Sequence, residues 1–284
     1  MELYNKRKQL LYRIDDNIIS NSDNEYEIIE EIGGGGNGTV FSCIDFAGNE
    51  YAVKFLLNHS KKGEKRFEQE INLMKLVNHP HLIKYIDDGT VDCYIPKTKE
   101  NLDLKFVIMP KAEGNLLDYI KDHDNIPYNE YASQFRGLCG ALSELHKYAI
   151  HRDIKPENIL IRGATWVLSD FGLCEFIAPE LHNDITGINE KIGPQFWMSP
   201  EAVNSHYFGS DEINKCSDVF QLCSVFTFIL NRRYPGGIIS SDDINTTEPI
   251  KALIMSSLSN NPQLRPSDGS ELYEKFMEAT AYYG

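Results

Sequence analysis

The hydrophobic residues follow two different periods along the chain, and the change falls near residue 114. Before it, apolar and polar positions alternate in short runs rich in β-branched and aromatic residues, a pattern typical of half-buried strands. The runs are YEIIEEIG, TVFSCIDF, EYAVKFLL, HPHLIKYIDDG and LKFVIM. A helical period interrupts them at residues 64–77. This half of the chain is therefore predicted to form a small sheet with one main helix.

Helical periods dominate beyond this point, in NLLDYIKDH and YNEYASQFRGLCGALSELHKY. The longest apolar run, VFQLCSVFTFIL at residues 219–230, is too short and too polar to span a bilayer and is predicted to be a buried helix. Strands first and helices afterwards indicate an α+β protein of two lobes, a small antiparallel-sheet lobe over residues 26–111 and a larger helical lobe over residues 112–282. Residues 1–25 are predicted to be a polar extension with a short helix around residues 8–13.

Composition narrows the expected partners and compartment. A chain of 284 residues with a 42% hydrophobic fraction is large enough for one large domain or two lobes. The formal net charge of −14 disfavours nucleic acid as a partner, because binding to its backbone requires a basic surface. The six cysteines form no CxxC pair, and the first residues carry no apolar stretch of signal-peptide length. We therefore expect no zinc site, no membrane insertion and a cytoplasmic location.

A glycine cluster follows the first predicted strand. The segment IGGGGNGTV contains the pattern G-x-G-x-x-G at Gly33, Gly35 and Gly38. A flexible turn and a dinucleotide-binding fingerprint both give such a pattern, but the fingerprint requires a helix directly after the glycines. Here the next residues, TVFSCI, alternate and include β-branched side chains, so the glycines are predicted to lie in a hairpin. The backbone N–H groups of such a hairpin can approach a polyphosphate closely.

A lysine and a glutamate are predicted to pair near this hairpin. Lys54 shares a strand face with Ala52, because side chains alternate along a strand. Glu70 falls inside the apolar stripe of the predicted helix, between Phe67 and Met74. A buried carboxylate is unfavourable unless it is paired, and Lys54 is the nearest candidate cation by this reasoning. The alternative is that Glu70 reaches solvent at the edge of the stripe.

The stretch HRDIKPEN, residues 151–158, concentrates polar groups of three chemistries. Asp153, Lys155 and Asn158 supply a proton acceptor, a cation and an amide beside a proline and before the apolar run ILI. DFG follows at residues 170–172.

These parts occur in the order found in the eukaryotic-type protein kinase family, of serine/threonine-like character, which the chain resembles from about residue 26 to about residue 282. The resemblance rests on the glycine loop ending at Val40, AVK with Lys54, Glu70, HRDIKPEN, DFG, SPE at residues 199–201, SDVFQLCSV with Asp218, and LRPS with Arg265. It implies a bilobal protein-kinase-like fold, and a kinase domain over residues 26–282. It also implies that Glu201 and Arg265 form a structural ion pair and that Asp218 ties the buried helix to the catalytic loop.

The resemblance further implies transfer of the γ-phosphate of ATP to a hydroxyl group. Asp153 would accept or orient the proton of the attacking hydroxyl, which is typically worth about 10²–10⁴ in rate. Lys155 would offset charge on the transferring phosphate, and Lys54 would contact the inner phosphates. Asn158 and Asp170 would coordinate Mg²⁺ through oxygen atoms. ATP and Mg²⁺ are thus the expected cofactors, and a protein with a hydroxyl acceptor is the expected partner.

The segment FVIMPKAEGN resembles the adenine-binding hinge of the family, with Met109 beside the adenine pocket. Pro110 lacks an N–H group, but the family uses the carbonyl at that position, and the N–H of Ala112 remains for adenine. The residues expected to bind ATP are Ile32, Gly33, Gly35, Gly38, Val40, Ala52, Lys54, Met109, Pro110, Ala112 and Leu160. Among them Val40, Ala52 and Leu160 would sandwich the purine, and plain core packing is the alternative for each.

The expected acceptor is serine or threonine, because Lys155 stands where tyrosine kinases usually carry an alanine-arginine pattern. Pro194 departs from this, since serine/threonine kinases usually place a threonine there that bonds to the catalytic aspartate and lysine. Trp197 also occurs in tyrosine kinases. A tyrosine or dual-specificity kinase therefore remains the alternative.

Regulation is expected to involve Arg152, which directly precedes the catalytic aspartate and in such kinases commonly binds a phosphorylated residue. The position three before Gly193, where that phosphate would lie, holds Glu190, and the hydroxyl residue between Gly172 and Gly193 is Thr186. We therefore expect Glu190 to supply a standing negative charge to Arg152, so that activity needs no phosphorylation of this segment. The alternative is an exposed glutamate in an acidic loop.

Two other function classes are weighed against an active protein kinase. A pseudokinase that serves as an ATP-binding scaffold would have lost Lys54, Asp153, Asn158 or Asp170, and all four are present. A small-molecule kinase of related fold generally lacks the SPE segment and the arginine partner of its glutamate, both of which occur here. Phosphorylation of protein is therefore the expected activity.

Overall fold

The computed structural model of the protein describes most of the chain. The described residues are 1–4, 8–34, 38–178, 196–209 and 211–281. The chain forms two compact units, which we call the sheet unit and the helical unit. The sheet unit comprises Met1–Lys75 and Ile83–Ala112, and the helical unit comprises Leu76–Leu82 and Glu113–Gly284. The predicted α+β class, with a sheet-rich part and a larger helical part, is confirmed.

The described residues of the sheet unit form eight antiparallel strands and one helix. They are β1 Glu2–Tyr4, β2 Leu10–Ile14, β3 Asn17–Ile19, β4 Glu25–Gly34, β5 Gly38–Asp45, β6 Glu50–Leu56, α1 Lys61–Leu76, β7 Asp87–Ile95 and β8 Glu100–Pro110. The strand order is β1-β2-β7-β8-β6-β5-β4-β3. The first three strands therefore extend the sheet at both edges, β1 and β2 beside β7 and β3 beside β4.

Alternation along the strands separates a hydrophobic core from the opposite face of the sheet. Val53 and Phe55 on β6 are fully buried, as are Phe106 and Ile108 on β8, and all four belong to one core cluster. Their neighbours along β6, including Lys54, face the other way because side chains alternate across a strand. One face of these strands thus stabilises the unit by packing into the core cluster, and Lys54 lies on the opposite face.

Two sequence predictions in this unit are wrong. The short helix expected around residues 8–13 is instead strand β2, because LLYRI places Tyr12 and Ile14 in the core while its backbone pairs with β7. The strand expected at HPHLIKYIDDG begins only at Asp87. Before it, Leu82 is buried and makes a single bridge to Leu168 in the helical unit, so its burial does not require a strand. In both segments, contacts with residues far away in the chain determine the secondary structure.

The helical unit carries short strands around the catalytic sequence motifs and a set of packed helices. Its elements are β9 Gly114–Asn115, α2 Leu116–Asp122, α3 Tyr128–Leu145, β10 Ala149–Ile150, β11 Ile159–Arg162, β12 Thr165–Leu168, β13 Glu175–Phe176, α4 Pro200–Phe208, α5 Lys215–Asn231, α6 Glu248–Ser257 and α7 Gly269–Thr280, with 3₁₀ turns at Pro156–Asn158, Phe171–Leu173, Ser241–Asp243 and Pro262–Leu264. The prediction of a buried helix at residues 219–230 is confirmed by α5.

Helix α5 forms the centre of this unit. Asn214 and Ser217 close a capping box at its start, which satisfies N–H groups that a helix end otherwise leaves unpaired. Phe226 stacks on Phe135 of α3 with 3.8 Å between ring centroids. Among the described residues, no helix is both long enough and apolar enough to cross a membrane.

Candidate active site

The predicted lysine–glutamate pair is formed within the sheet unit. Lys54 lies on β6 and Glu70 in the middle of α1. Lys54 Nζ is 2.6 Å from Glu70 Oε1, and the glutamate side chain is only 7% exposed. A carboxylate this buried requires a cation, because an unpaired buried charge is strongly unfavourable. The pairing prediction is confirmed, and the pair holds α1 against β6 through a charge-assisted hydrogen bond.

Several residues predicted to bind ATP share the face of the sheet that carries Lys54. Ala52 lies opposite Met109 across β6 and β8, and Val40 lies opposite Lys54 across β5 and β6. Ala52 is buried, so it offers a small apolar surface beside the lysine. This arrangement gives an apolar patch next to a fixed ammonium group. A flat base with phosphates attached has the matching chemistry.

The glycine cluster lies between β4 and β5, so the predicted hairpin is confirmed over its described part. Gly33 pairs with Val40, and the side chain of Ile32 is half-exposed. A Cβ atom at Gly38 would lie 2.7 Å from the carbonyl oxygen of Phe55, a distance that real Cβ atoms do not adopt. Gly38 must therefore be glycine for the strands to approach. Gly35 lies outside the described residues.

The remaining residues predicted to contact adenine are divided between the two units. Pro110 ends β8 in register with Tyr51, and Ala112 is the last residue of the sheet unit. Leu160 belongs to the helical unit, where it lies on β11 opposite Val167. Their contact with adenine stays a prediction.

Asp153 is the best-defined group of the catalytic loop in the helical unit. Asp153 is only 6% exposed. Its carboxylate Oδ2 accepts hydrogen bonds from Lys155 Nζ and Asn158 Nδ2, each at 2.8 Å. Asn158 Nδ2 also donates to the Asp153 carbonyl oxygen at 2.8 Å. The three polar residues of the HRDIKPEN motif, Asp153, Lys155 and Asn158, are therefore in direct contact in the structure. The carboxylate has a fixed orientation, as a general base requires.

The backbone of this loop is held by two buried side chains of α5. Asp218, fully buried, accepts hydrogen bonds from the N–H groups of His151 at 2.6 Å and Arg152 at 2.8 Å. Gln221 Oε1 accepts from the N–H of Ile154 at 3.0 Å. The predicted tie from Asp218 to the loop is confirmed. Gln221 was not predicted, although its place three residues after Asp218 on one helix is a usable signal.

The electrostatics of Asp153 favour proton acceptance near neutral pH more than an ordinary aspartate would. Burial raises the pKa of Asp153 above its usual value, and the negative charge of Asp170 acts in the same direction. The ammonium of Lys155 and the ring of His151 oppose this and lower it. Burial is the largest effect, and the opposing charges do not cancel it, so the pKa of Asp153 is raised on balance. A more basic carboxylate is a better acceptor for a hydroxyl proton.

Asn158 and Asp170 are linked through Ser169. Ser169 donates to the Asn158 carbonyl oxygen from its backbone N–H at 2.8 Å and from its hydroxyl at 2.9 Å. Because the Asn158 amide nitrogen donates to Asp153, its Oδ1 is the atom that would coordinate a cation. Asp170 is exposed and adopts a left-handed conformation with φ 63°, which is uncommon outside glycine. Strain of this kind is found at functional sites.

These two residues fit a magnesium ion by their donor chemistry. Both offer oxygen atoms, which hard divalent cations prefer. Among the described residues there is no cluster of three or more His, Cys, Asp or Glu side chains able to hold a metal ion. With nucleotides, Mg²⁺ usually takes most of its oxygen ligands from phosphates and water, and one or two protein side chains supply the rest.

Arg152 contacts a glutamate that sequence reasoning did not assign to it. Arg152 Nη1 is 2.7 Å from Glu175 Oε2, and Arg152 Nε donates to the Leu173 carbonyl oxygen at 2.8 Å. The arginine is 6% exposed and has φ 68°. No periodic signal links positions 152 and 175, because the strand pair β10 and β13 brings them together. Glu190, Thr186 and Pro194 lie outside the described residues.

Glu201 and Arg265 form the predicted structural ion pair. Arg265 Nη1 and Nη2 donate to the two carboxylate oxygens of Glu201 at 2.7 and 2.9 Å, and both residues are buried. Burial opposes ionisation of Glu201, but hydrogen bonds from Arg265 and Ser217 outweigh it, so the pKa of Glu201 is lowered. The pair joins the start of α4 to the turn before α7, and this prediction is confirmed.

Comparison with known proteins places the chain in a family. It is 31% identical over 200 residues to the serine/threonine-protein kinase cds1 of Schizosaccharomyces pombe, covering 66% of this chain and 40% of that protein. It is 27% identical over 253 residues to max-2 of Caenorhabditis elegans and 26% identical over 258 residues to PAK 1 of Mus musculus, covering 88% and 89% of this chain. Those alignments cover 35% and 42% of the two relatives, so the chain spans less than half the length of the curated relatives it matches.

The family model of the protein kinase domain matches residues 26–280. This range begins in β4 and ends in α7, so it includes the lysine–glutamate pair, the catalytic loop and the buried Glu201–Arg265 pair. The sequence motifs, the fold and the family match agree, and the chain belongs to the protein kinase family.

Proposed function

We propose that the protein transfers the γ-phosphate of ATP to serine or threonine hydroxyls of protein substrates. The observation that carries this proposal is the buried carboxylate of Asp153, held by Lys155 and Asn158 at 2.8 Å each. Asp153 accepts the proton of the substrate hydroxyl while Lys155 offsets the charge that develops on the phosphate. Lys54, fixed by Glu70, contacts the inner phosphates.

Asn158 and Asp170 are the residues that would hold Mg²⁺, with phosphate oxygens completing its coordination. The ion, when bound with ATP, neutralises charge on the phosphates. The contribution of the chain is to orient the two oxygen donors, and the hydrogen bonds of Ser169 to Asn158 support that orientation.

Serine or threonine is proposed as the acceptor on two grounds. Lys155 occupies the catalytic loop, as in serine/threonine kinases, and its ammonium contacts Asp153. The relatives cds1, max-2 and PAK 1 are each named serine/threonine-protein kinases. Pro194 lies outside the described residues, so its effect on the acceptor is decided by experiment.

The function is tested by incubating the purified chain with radiolabelled ATP, Mg²⁺ and a generic basic protein, followed by phosphoamino-acid analysis. Label on serine or threonine is the expected result. Label on tyrosine alone would contradict the proposed acceptor and favour the tyrosine-kinase alternative. Binding of ATP by calorimetry without any transfer would contradict the proposed activity and favour the scaffold.

We further propose that activity does not depend on a phosphate in residues 179–195. Arg152, which would bind such a phosphate, already contacts the carboxylate of Glu175 at 2.7 Å. A carboxylate carries less charge than a phosphate, but it is always present. The sequence predicted Glu190 for this role, and that residue lies outside the described residues. Among the described residues, Glu175 supplies a carboxylate to the arginine.

Thr186→Ala is therefore expected to keep full activity, and Glu175→Gln to reduce kcat/KM by about tenfold, the scale of one charge-assisted hydrogen bond. Glu274→Gln, at an exposed position of α7, is the matched control for the loss of one charge. Steady-state kinetics on phosphatase-treated protein provide the measurement. An inactive Thr186→Ala, or an inactive dephosphorylated wild type that regains activity on phosphorylation, would contradict the proposal.

A further inference from the structure

The first strands of the chain are part of the sheet unit rather than an appendage. Leu3, Tyr12, Ile14 and Ile18 are all buried in its hydrophobic core cluster. Strand β2 pairs with β7 on one edge of the sheet, and β3 pairs with β4 on the other. Most of these side chains only fill space in the core.

Tyr12 is different, because it contacts the segment that leads into α1. Its hydroxyl donates a hydrogen bond to the Leu57 carbonyl oxygen at 3.1 Å, and its ring packs edge-on against His59 with 5.5 Å between centroids. Residues 57–60, which we call the 57–60 linker, join β6, with Lys54, to α1, with Glu70. The tyrosine is 8% exposed, so its contacts are shielded from water.

The 57–60 linker is in turn locked to the first turn of α1. Ser60 accepts hydrogen bonds from the N–H of Gly63 at 3.1 Å through its hydroxyl and from the N–H of Glu64 at 3.0 Å through its carbonyl. A Cβ atom at Gly63 would lie 2.1 Å from the Asn58 carbonyl oxygen, so the linker and the helix touch backbone to backbone. A shift of the linker therefore moves the start of α1 with it.

Helix α1 is also held by two ion pairs to the sheet, one on either side of Glu70 along the chain. Lys75 Nζ is 2.8 Å from Asp88 Oδ1 on β7, and Lys105 Nζ on β8 is 2.5 Å from Glu68 Oε1. Glu68 lies between the 57–60 linker and Glu70, and Lys75 lies beyond Glu70. The distance from Glu70 to Lys54 is thus set from both ends of the helix, and Tyr12 acts at the N-terminal end.

We propose that Tyr12 is a positioning residue that keeps Glu70 in contact with Lys54 by bracing the 57–60 linker. The proposal rests on the proposed function, because the lysine–glutamate pair matters for rate only if phosphate is transferred. Tyr12 acts through the main chain at Leu57 and the ring of His59. A tyrosine that merely filled the core would affect stability without affecting the helix start.

The test compares Tyr12→Ala and Tyr12→Phe with Ile18→Ala in the full chain. Ile18 is a buried residue of the same N-terminal segment on the opposite edge of the sheet, so it controls for loss of core packing. The readouts are amide hydrogen exchange over residues 57–66, and kcat and KM for ATP measured separately. All are taken at a temperature at which calorimetry shows each variant to be folded.

Tyr12→Ala is expected to speed exchange over residues 57–66 and to lower kcat by about tenfold, equivalent to about 1.4 kcal/mol in activation free energy. Tyr12→Phe, which keeps the ring but loses one neutral hydrogen bond, is expected to lower kcat by roughly threefold to fivefold. Ile18→Ala is expected to lower the melting temperature while leaving kcat and exchange over these residues as in the wild type.

The proposal is overturned if Tyr12→Ala and Ile18→Ala change exchange over residues 57–66 equally, or if neither changes it. If Tyr12→Ala does not fold, the same comparison is made with Tyr12→Phe. Should the wild type transfer no phosphate at all, the proposed function fails, while hydrogen exchange still decides whether Tyr12 braces the linker.

Discussion

Asp153→Asn is expected to lower the rate of phosphate transfer by about 10²–10⁴-fold, the usual contribution of a general base. Asparagine has nearly the same shape but cannot accept the hydroxyl proton. In the wild type, Asn158 Nδ2 and Lys155 Nζ both donate hydrogen bonds to the aspartate carboxylate. The asparagine amide places an N–H donor of its own beside these two donors. The measurement is single-turnover transfer to a fixed peptide, with ATP binding by calorimetry as the control. A variant that turns over as fast as the wild type would remove Asp153 from the mechanism.

Loss of activity in this variant can be separated from loss of folding. Burial raises the pKa of Asp153 in the folded state above its unfolded value. The protonated form therefore favours folding at low pH, and this advantage is lost as pH rises through the folded pKa. Because asparagine is neutral at every pH, Asp153→Asn is expected to melt no lower than the wild type at neutral pH. A large fall in melting temperature would mean that the activity loss reports unfolding.

The pH profile gives a second readout of the same group. Activity requires the ionised carboxylate, so kcat is expected to fall as pH drops through the raised pKa of Asp153. This acid limb should lie above the ordinary aspartate value of 3.8. The residual activity of Asp153→Asn should lack it. An unchanged limb in the variant would assign the titration to another group.

Arg265→Ala is expected to destabilise the protein by about 3–5 kcal/mol, the typical result of removing one partner of a buried ion pair. The arginine donates to both oxygens of Glu201 at 2.7 and 2.9 Å, and the glutamate is 5% exposed. Without the guanidinium, a buried carboxylate is left without its strongest partner. Urea denaturation at neutral pH measures the loss, because the midpoint shifts when stability changes at constant slope.

The double variant Glu201→Gln/Arg265→Met is the matched control, since replacing both charges leaves no unpaired carboxylate and is expected to recover much of the loss. The pH dependence has a defined sign. In the wild type the pKa of Glu201 is lowered, so the stability from the pair is present above the unfolded pKa and is lost as pH falls through the folded one. The difference between wild type and Arg265→Ala should therefore shrink in acid. Equal urea midpoints at neutral pH would contradict the prediction.

The sequence alone predicted a feature of the site correctly where the chemistry of a residue and the local hydrophobic period indicate the same structure. Glu70 was identified because a carboxylate inside an apolar helical stripe requires a partner, and Lys54 provides it at 2.6 Å. The glycine hairpin was distinguished from a dinucleotide fingerprint by the β-like residues that follow it, and β5 begins at Gly38. Asp153, Lys155 and Asn158 meet because they lie within one short loop.

The sequence was insufficient where the fold depends on pairing between distant segments. LLYRI is too short to show a strand period, and β2 forms because β7 offers it a backbone edge and a core to fill. Glu175 reaches Arg152 because β10 pairs with β13, and nothing in either segment alone indicates this. Such contacts depend on register between strands far apart in the chain.

The short outer strands of the sheet have a practical consequence. Strands β4 and β7 are 10 and 9 residues long, and each is flanked by a strand from the first 19 residues. A recombinant fragment cut at residue 26, where the family match begins, would lose the three residue pairs between β3 and β4 and the two between β2 and β7, which exposes more of both strand edges. Such edges recruit other chains, so the shortened protein would tend to aggregate even with every catalytic residue intact.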